Sequence, residues 1–346
     1  VTPSIPIPKP APLNLHYALS KEQAAISKQL ITNFDQGIDT LVYAVCGAGK
    51  TEMVYGVLSH AIEKGCHVGF AIPRKDVVIE LYWRLKEAFP QNRMVAVYGQ
   101  HASALVGDIV LLTTHQLYRY PHYFDLLVMD EIDAFPYRGN ETLVALCRRA
   151  IRGHSVLMSA TPNQELLHQY QTEKGKALLE LRTRFHGKPI PVPRVKVLPR
   201  FLQWVYTAFL LRRYQREGKP CLVFAATKDQ AESVYRFLSF FLKNGNYVHS
   251  SREGRDEIVK CFKQGKYHYL VSTSVLERGI TVKKLQVVLL SADEEEIYRS
   301  AALIQMAGRA GRKWDAPTGE VWFLAEEENQ EIKRAVEEIR YCNTFL

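Results

Sequence analysis

Short apolar runs recur along the chain, separated by stretches whose apolar residues fall three and four positions apart. In the first half the runs cover residues 41–45, 67–72, 94–98, 109–113, 126–129 and 156–159, and each reads as a strand. Between them, 77–88 places Val77, Leu81, Leu85 and Ala88 on one helical face. The second half repeats the alternation, with strands at 221–225, 247–250, 269–273, 287–291 and 320–324 and helices at 229–243, 255–263 and 299–306. Apolar strands alternating with amphipathic helices predict parallel sheets covered on both faces. The rhythm breaks at 185–199, FHGKPIPVPRVKVLP, where four prolines and a glycine mark a seam. The pattern therefore predicts two α/β domains, 17–193 and 194–346, behind a proline-rich extended linker at 1–16.

Composition narrows the picture only a little. The 346 residues are 47% hydrophobic and 23% charged, as in ordinary globular proteins. No run approaches the roughly 18–20 apolar residues of a membrane span. An excess of 45 Lys and Arg over 36 Asp and Glu points to a polyanionic partner. The six cysteines (Cys46, Cys66, Cys147, Cys221, Cys261 and Cys342) form no C-x-x-C pair. That spacing argues against a zinc knuckle or a disulfide framework and favours reduced thiols.

Three segments carry candidate chemistry. Residues 44–51, AVCGAGKT, follow a strand and open a helix, and they match a phosphate-binding P-loop except that Ala44 replaces the first glycine. Gly47 and Gly49 let backbone N–H groups close around phosphate oxygens, and the helix beginning at Lys50 aims its positive end at them. The Lys50 ammonium can reach the β- and γ-phosphates, and the Thr51 hydroxyl can bind Mg²⁺. The second segment is FDLLVMDEIDAFPY, 124–137, where Asp130, Glu131 and Asp133 follow an apolar run directly. Asp130 suits the Mg²⁺ shell, and Glu131 suits orienting or deprotonating a water. A helix N-cap would account for one of these carboxylates but not for the set. The third is QMAGRAGR, 305–312, in which Gly308 and Gly311 are poor helix residues, so Arg309 and Arg312 are not an ordinary surface pair. If the two domains face each other across ATP, these arginines meet the γ-phosphate as arginine fingers.

In order, G-A-G-K-T, D-E-I-D, Ser159-Ala160-Thr161 and Q-x-x-G-R-x-G-R resemble the superfamily 2 helicases and translocases. More narrowly, A-V-x-G-A-G-K-T-E, P-R-x-D-V at 73–77, T-T-H-Q-L at 113–117 and D-E-I-D-A-F-P-Y resemble the ComFA family of late-competence DNA-uptake ATPases. The resemblance extends over essentially the whole chain beyond Pro12. It implies two tandem RecA-like domains, each a parallel sheet flanked by helices, with the ATP site in the cleft between them. It implies ATP contacts from Gln23, Gly47, Ala48, Gly49, Lys50, Thr51 and Glu52, with Asp130 and Glu131 beside them. Gln305, Arg309 and Arg312 complete that site, and Gly279 lies near the nucleotide face of the second domain. Ser159 and Thr161 link hydrolysis to domain movement, through Asp133. Leu19-Ser20-x-x-Gln23 resembles an adenine-reading motif, and a plain helix N-cap at Ser20 fits equally well.

The implied activity is an ATP-dependent single-stranded DNA translocase driving DNA uptake during natural transformation. Its cofactors are ATP and Mg²⁺. Strand contacts fall on Pro73, Arg74, Thr113, Thr114, His115, Thr227, Lys228, Ser272 and Thr273. Nothing resembles a base-reading helix, so the expected binding is sequence-tolerant. The Tyr118–Phe124 cluster, YRYPHYF, could stack bases, but packing beside the following strand is the preferred reading. Implied partners are single-stranded DNA, competence proteins including a phosphoribosyltransferase-like one, and the membrane DNA channel; an oligomer is compatible. The implied location is cytoplasmic, peripheral at the inner face of the cell membrane. Family members carry a four-cysteine zinc module ahead of the ATPase core. No such spacing occurs here and the chain starts Val1-Thr2-Pro3, so the module is expected in a missing N-terminal region and no zinc site in this chain.

Three other readings remain. Replication-restart DNA helicases carry interleaved zinc-binding cysteines, which this sequence lacks. DEAD-box RNA helicases usually carry H-R-x-G-R where this chain has Q-M-A-G-R. An ATP-gated nucleic-acid clamp would not need Glu131 together with both arginines.

Overall fold

The computed structural model describes residues 1–3, 7–15, 18–45, 48–99, 104–132, 141–182, 184, 187–273, 281–313 and 315–344. The chain divides into two compact units, Val1–Phe185 and His186–Leu346.

The first unit begins with α1 (Lys21–Asp35) and β1 (Asp39–Ala44), then α2 (Lys50–Glu63), β2 (Val68–Ile72), α3 (Lys75–Ala88), β3 (Met94–Val97) and β4 (Ile109–Thr113). It continues through β5 (Phe124–Met129), α4 (Glu141–Ala150), β6 (Ile151–Ser159), α5 (Gln164–Thr172) and β7 (Lys176–Leu181). Among the described residues these strands form one parallel sheet in the order β3-β4-β2-β5-β6-β1-β7. Strands β2 and β4 are buried along their whole length, which is why they read as unbroken apolar runs. The edge strands β3 and β7 alternate or stay half-exposed. Strand β7, KALLEL, escaped the sequence reading for that reason. On α3 the buried face is Val78, Leu81, Leu85 and Ala88, one residue out of register at its start from the expected Val77.

Tyr120, Tyr123 and Phe124 are buried together, with ring centroids 5.1–5.2 Å apart, and Tyr118 alone of that cluster's tyrosines is exposed. Packing is thus the role of those three rings. Beside them Asp125 accepts the His67 backbone N–H at 2.9 Å and the Arg152 Nε–H and Nη2–H at 2.8 and 2.7 Å. Burial works against ionising Asp125, but these donors more than offset it and hold the carboxyl below its usual range.

Residues 1–3 and 7–15 carry no helix or strand, and they bond to the body of the first unit at several points. The Val1 nitrogen donates to the Arg119 carbonyl at 2.6 Å, and Lys9 pairs with Asp108 at 2.7 Å. Ser59 Oγ donates to the Ala11 carbonyl at 2.7 Å, Asn92 to Pro10 at 3.1 Å, and the Asn14 N–H to Ala88 at 2.8 Å. Ala11 is buried. The backbone groups that prolines leave without ladder partners are taken up by side chains of the unit, so the segment lies along it as a strap.

The second unit comprises β8 (Arg194–Val197), α6 (Arg200–Arg216), β9 (Cys221–Phe224), α7 (Lys228–Phe241), β10 (Gly245–Val248), α8 (Arg255–Lys263), β11 (Tyr269–Ser272), β12 (Gln286–Leu289), α9 (Ser300–Ala307), β13 (Val321–Ala325) and α10 (Gln330–Asn343). Its described strands form a second parallel sheet in the order β10-β11-β9-β12-β13-β8. Strand β8 lies inside the proline-rich stretch read as the seam between the two domains. Prolines bracket RVKV without interrupting it, and the strand pairs on one side only, where prolines nearby are tolerated. Helix α6 carries apolar residues on all sides: Leu210 and Leu211 face the core, and Phe201, Val205 and Phe209 face solvent. It has no single stripe and therefore gave no periodic signal.

Candidate functional site

The parallel order brings the candidate residues of the first unit to one edge, beyond the carboxyl ends of the strands, where ligands of open α/β sheets bind. The phosphate loop follows β1, the acidic pair follows β5, and Ser159 ends β6, the strand between them. Tyr43 of β1 is level with Ser159 of β6, and Met129 of β5 with Leu157.

Ala48 is buried, and its N–H closes a turn on the Val45 carbonyl at 3.1 Å. Gly49 then takes a left-handed conformation, φ 73°, as the N-cap of α2, and among the described residues no side chain caps that helix end. Its first-turn N–H groups therefore remain suited to an anion. Gly49 is required twice over: the positive φ excludes most side chains, and a Cβ there would run into the Gln23 amide.

Gln23, only 5% exposed, closes a capping box on α1 by accepting the Ser20 N–H at 2.9 Å, while its own N–H donates to Ser20 Oγ at 3.2 Å. Its amide nitrogen donates to the Ala48 carbonyl at 2.6 Å. One side chain thus starts α1 and braces the phosphate loop. Glu52, expected at the ATP site, has its carboxylate on Arg84 of α3.

The Lys50 ammonium lies 4.0 Å from the Asp130 carboxylate, both largely shielded from solvent. Asp130 Oδ1 also accepts the Glu131 N–H at 2.8 Å, and the Asp130 N–H donates to Ala71 of β2 at 3.0 Å, extending the ladder by one step. Glu131 adopts φ 57°, a conformation costly for a residue with a side chain. The sheet fixes Asp130, and the reversal at Glu131 turns the chain off the strand. Ser159 is fully buried, and its Oγ accepts the Thr161 N–H at 3.0 Å. Behind these strand ends lies a cavity of about 370 Å³ whose walls include Met129, Ile132, Cys147, Ser159, Thr161 and Tyr170.

No group of three or more His, Cys, Asp or Glu among the described residues is arranged to hold a metal ion. Magnesium needs less, because one or two carboxylates suffice when substrate phosphates supply the remaining oxygens. The hard oxygen donors of Asp130 and Thr51, beside Lys50 and the end of α2, fit that ion with a polyphosphate. Gly47, Asp133 and Gly279 lie outside the described residues.

In the second unit Gln305 ends inside α9, and Arg309 follows in a tight turn where its N–H bonds the Met306 carbonyl at 3.1 Å. Gln305 and Arg309 are buried, and Arg312 is half-exposed. Gly311, φ 61°, sits against the Pro317 carbonyl with no room for a Cβ. The start of α9 is held from outside, by Glu331 of α10 accepting the Ser300 N–H at 2.6 Å.

The DEAD/DEAH box helicase family matches residues 22–168, and the helicase conserved C-terminal domain matches residues 202–313. Across 352 aligned residues the chain is 34% identical to the competence protein ComFA of Streptococcus pneumoniae, covering 99% of this chain and 81% of that protein. The chain belongs to the ComFA family. ComFA of Bacillus subtilis is 34% identical over 328 residues, covering 88% of this chain and 68% of that one. The solved structure of S. cerevisiae Dbp5 bound to RNA and ADP BeF3 matches with a TM-score of 0.70 at 15% identity, over 95% of this chain and 93% of that one, a likeness of fold. This ComFA-family chain is therefore a competence ATPase of the superfamily 2 helicase type, built of two RecA-like units. Among its described residues no helix is long and apolar enough to cross a membrane.

The ComFA-type segments expected to touch nucleic acid are unevenly exposed. Pro73, Thr113, Thr114, Ser272 and Thr273 are buried, and Ser272 Oγ donates to the Thr273 carbonyl at 2.9 Å. At the surface or partly so are Arg74, His115, Thr227 and Lys228. Thr227 also caps α7 by accepting the Gln230 N–H at 3.1 Å, and Lys228 donates to Ser251 at 2.6 Å. Two neighbours went unremarked in the sequence, Lys75 and Tyr98, although Lys75 lies within the P-R-x-D-V motif itself.

Proposed function

We propose that this ComFA-family ATPase is a motor that moves along single-stranded DNA and powers DNA uptake during natural transformation. The observation that carries the reading is the shared strand-end edge. Lys50 and Asp130 face each other there, Ser159 ends the strand between them, and Arg74 and His115 open to solvent at the ends of β2 and β4 on the same edge. Hydrolysis and strand contact thus draw on one row of sheet termini.

In this reading Lys50 and the N-terminal turn of α2 hold the phosphates, and Gly47, Ala48 and Gly49 shape the loop. Asp130 and Thr51 hold Mg²⁺, and Glu131 handles the attacking water. Gln23 holds the loop, and Glu52 acts through Arg84. On their motifs, Gln305, Arg309 and Arg312 meet the γ-phosphate, Gly279 lies by the nucleotide, and Asp133, Ser159 and Thr161 couple hydrolysis to movement. Family membership supports work at the inner face of the cell membrane beside a DNA channel, with a phosphoribosyltransferase-like competence partner.

The test is ATP turnover with and without single-stranded DNA, joined to displacement of streptavidin from a biotinylated strand. Stimulation by DNA and ATP-dependent displacement are expected, with single-stranded RNA of the same length as the comparison. Lys50→Ala should weaken ATP binding. Glu131→Gln should bind ATP without turnover. Arg312→Ala should spare ATP binding and lose the stimulation. Turnover indifferent to DNA in an active preparation would overturn the motor reading.

A further inference from the structure

The edge that carries Arg74 and His115 also carries an aromatic ring that the motif reading did not use. Strands β3, β4 and β2 are neighbours, with Val97 level with Leu112 and Ile72 level with Thr113. Tyr98 therefore stands at the end of β3 in line with Thr113, and Pro73 follows on the far side. Thr113, Thr114 and Pro73 are buried, so among the described residues the side chains at this rim are Tyr98, Arg74, Lys75 and His115. Tyr98 is half-exposed, Lys75 and His115 exposed. The Lys75 ammonium lies 5.3 Å from the centre of the Tyr98 ring. Gln116 donates to the Gly99 carbonyl at 3.3 Å, which ties the turn after Tyr98 to the turn after β4. Among the described residues nothing lies within 4 Å of where a Gly99 Cβ would stand.

A flat π-face with an ammonium beside it and a guanidinium next in the chain is the pairing by which proteins hold single strands without reading sequence. The ring stacks on a base and the ammonium meets the adjacent phosphate. We propose that Tyr98 is a base-stacking platform of the first unit and that Lys75 is its phosphate partner. The ligand class is single-stranded nucleic acid with intact bases. This rests on the motor reading and adds to it the place where a base, rather than the backbone, is gripped. Simple packing of the Lys75 stem on the Tyr98 ring would produce the same contact, and only the response to the base separates the two.

The experiment uses the full chain and two labelled strands of equal length, oligo(dT) and its abasic counterpart, with affinity read by fluorescence anisotropy. Tyr98→Ala and Tyr98→Leu are expected to weaken binding to oligo(dT) by about 5- to 150-fold, the worth of one stacked base, and to leave the abasic strand unchanged. Tyr98→Phe and Tyr98→Trp should retain binding. Lys75→Ala should weaken both strands alike and lower the slope of log affinity against log salt by about 0.7. Tyr98→Leu keeps apolar bulk, so it remains informative where the alanine variant does not fold. If the Tyr98 variants weaken both strands equally, or neither, the stacking role is overturned while the motor reading stands. If the unaltered chain binds neither strand, the motor reading itself falls, and this inference with it.

Discussion

Removing the Gln23 side chain is expected to loosen the start of α1 and the phosphate loop together. In Gln23→Ala the Ser20 N–H and the Ala48 carbonyl each lose a partner. Each lost hydrogen bond costs about 0.5–1.5 kcal/mol net, and a carbonyl left unmatched in a buried residue adds about 1–3 kcal/mol. With partial relaxation the total is about 3 kcal/mol. For a unit of this size that lowers the melting midpoint by roughly 6–12 °C. Ser20→Ala removes only the hydroxyl of the box, a change of about 1 kcal/mol and roughly 2–4 °C. Because Ser20 and Gln23 close one box, the double variant should melt well above the sum of the two single shifts. Gln23→Glu separates the two duties. It keeps an acceptor for the Ser20 N–H but sets a carboxylate against the Ala48 carbonyl, so the helix start should survive and ATP affinity should fall. Thermal melts without nucleotide and titration with a fluorescent ATP analogue read the two effects. A Gln23→Ala midpoint equal to that of the unaltered chain, or full additivity with Ser20→Ala, would refute the reasoning.

Gly311→Ala must place a Cβ against the Pro317 carbonyl at a positive φ, so the turn holding Arg312 should shift; ATP turnover is expected to drop at least tenfold with ATP binding retained, as measured by steady-state kinetics beside equilibrium titration. Asp125 has a depressed carboxyl pKa, so its stabilisation is present above its unfolded value near pH 4 and is lost as pH falls through the folded value. Urea melts should show Asp125→Asn weaker than the unaltered chain by about 1–3 kcal/mol at pH 7, the gap closing in acid. Burial pushes the Cys147 thiol up to about 12 and raises Cys221 further, so neither should react with a disulfide reagent at pH 8 until the chain unfolds. Mass spectrometry of the labelled peptides checks this, and rapid labelling of Cys147 would show that the cavity beside it opens.

The alternation of apolar runs located the central strands because parallel strands with both faces covered must be apolar throughout. It passed over β7 and β8, which lie at sheet edges and expose part of their length, and over α6, whose apolar residues encircle the helix. The phosphate loop and the acidic strand end were legible because their chemistry dictates residue type and spacing. Burial was not: Thr113 and Thr114 look like surface hydroxyls in the sequence and are enclosed by neighbouring strands. Nor was the partner of Glu52, since Arg84 lies on the next helix, beyond β2, and meets it only after the sheet forms. Ser20 and Gln23 fitted two readings from sequence, an adenine motif and a helix cap. The coordinates show the cap, together with a bond to the loop that neither reading contained.

The strap along the first unit also bears on how the protein folds. Val1 meets Arg119 across 118 positions of chain, Lys9 meets Asp108 across 99, and Asn92 reaches back 82 to Pro10. Contacts so distant in sequence form only after the strands that present their partners have assembled. The strap is then expected to form after the folding transition state. Its bonds should leave the folding rate almost untouched and act instead as a brake on unfolding, so the strap bears on the lifetime of the folded unit more than on the speed of its formation.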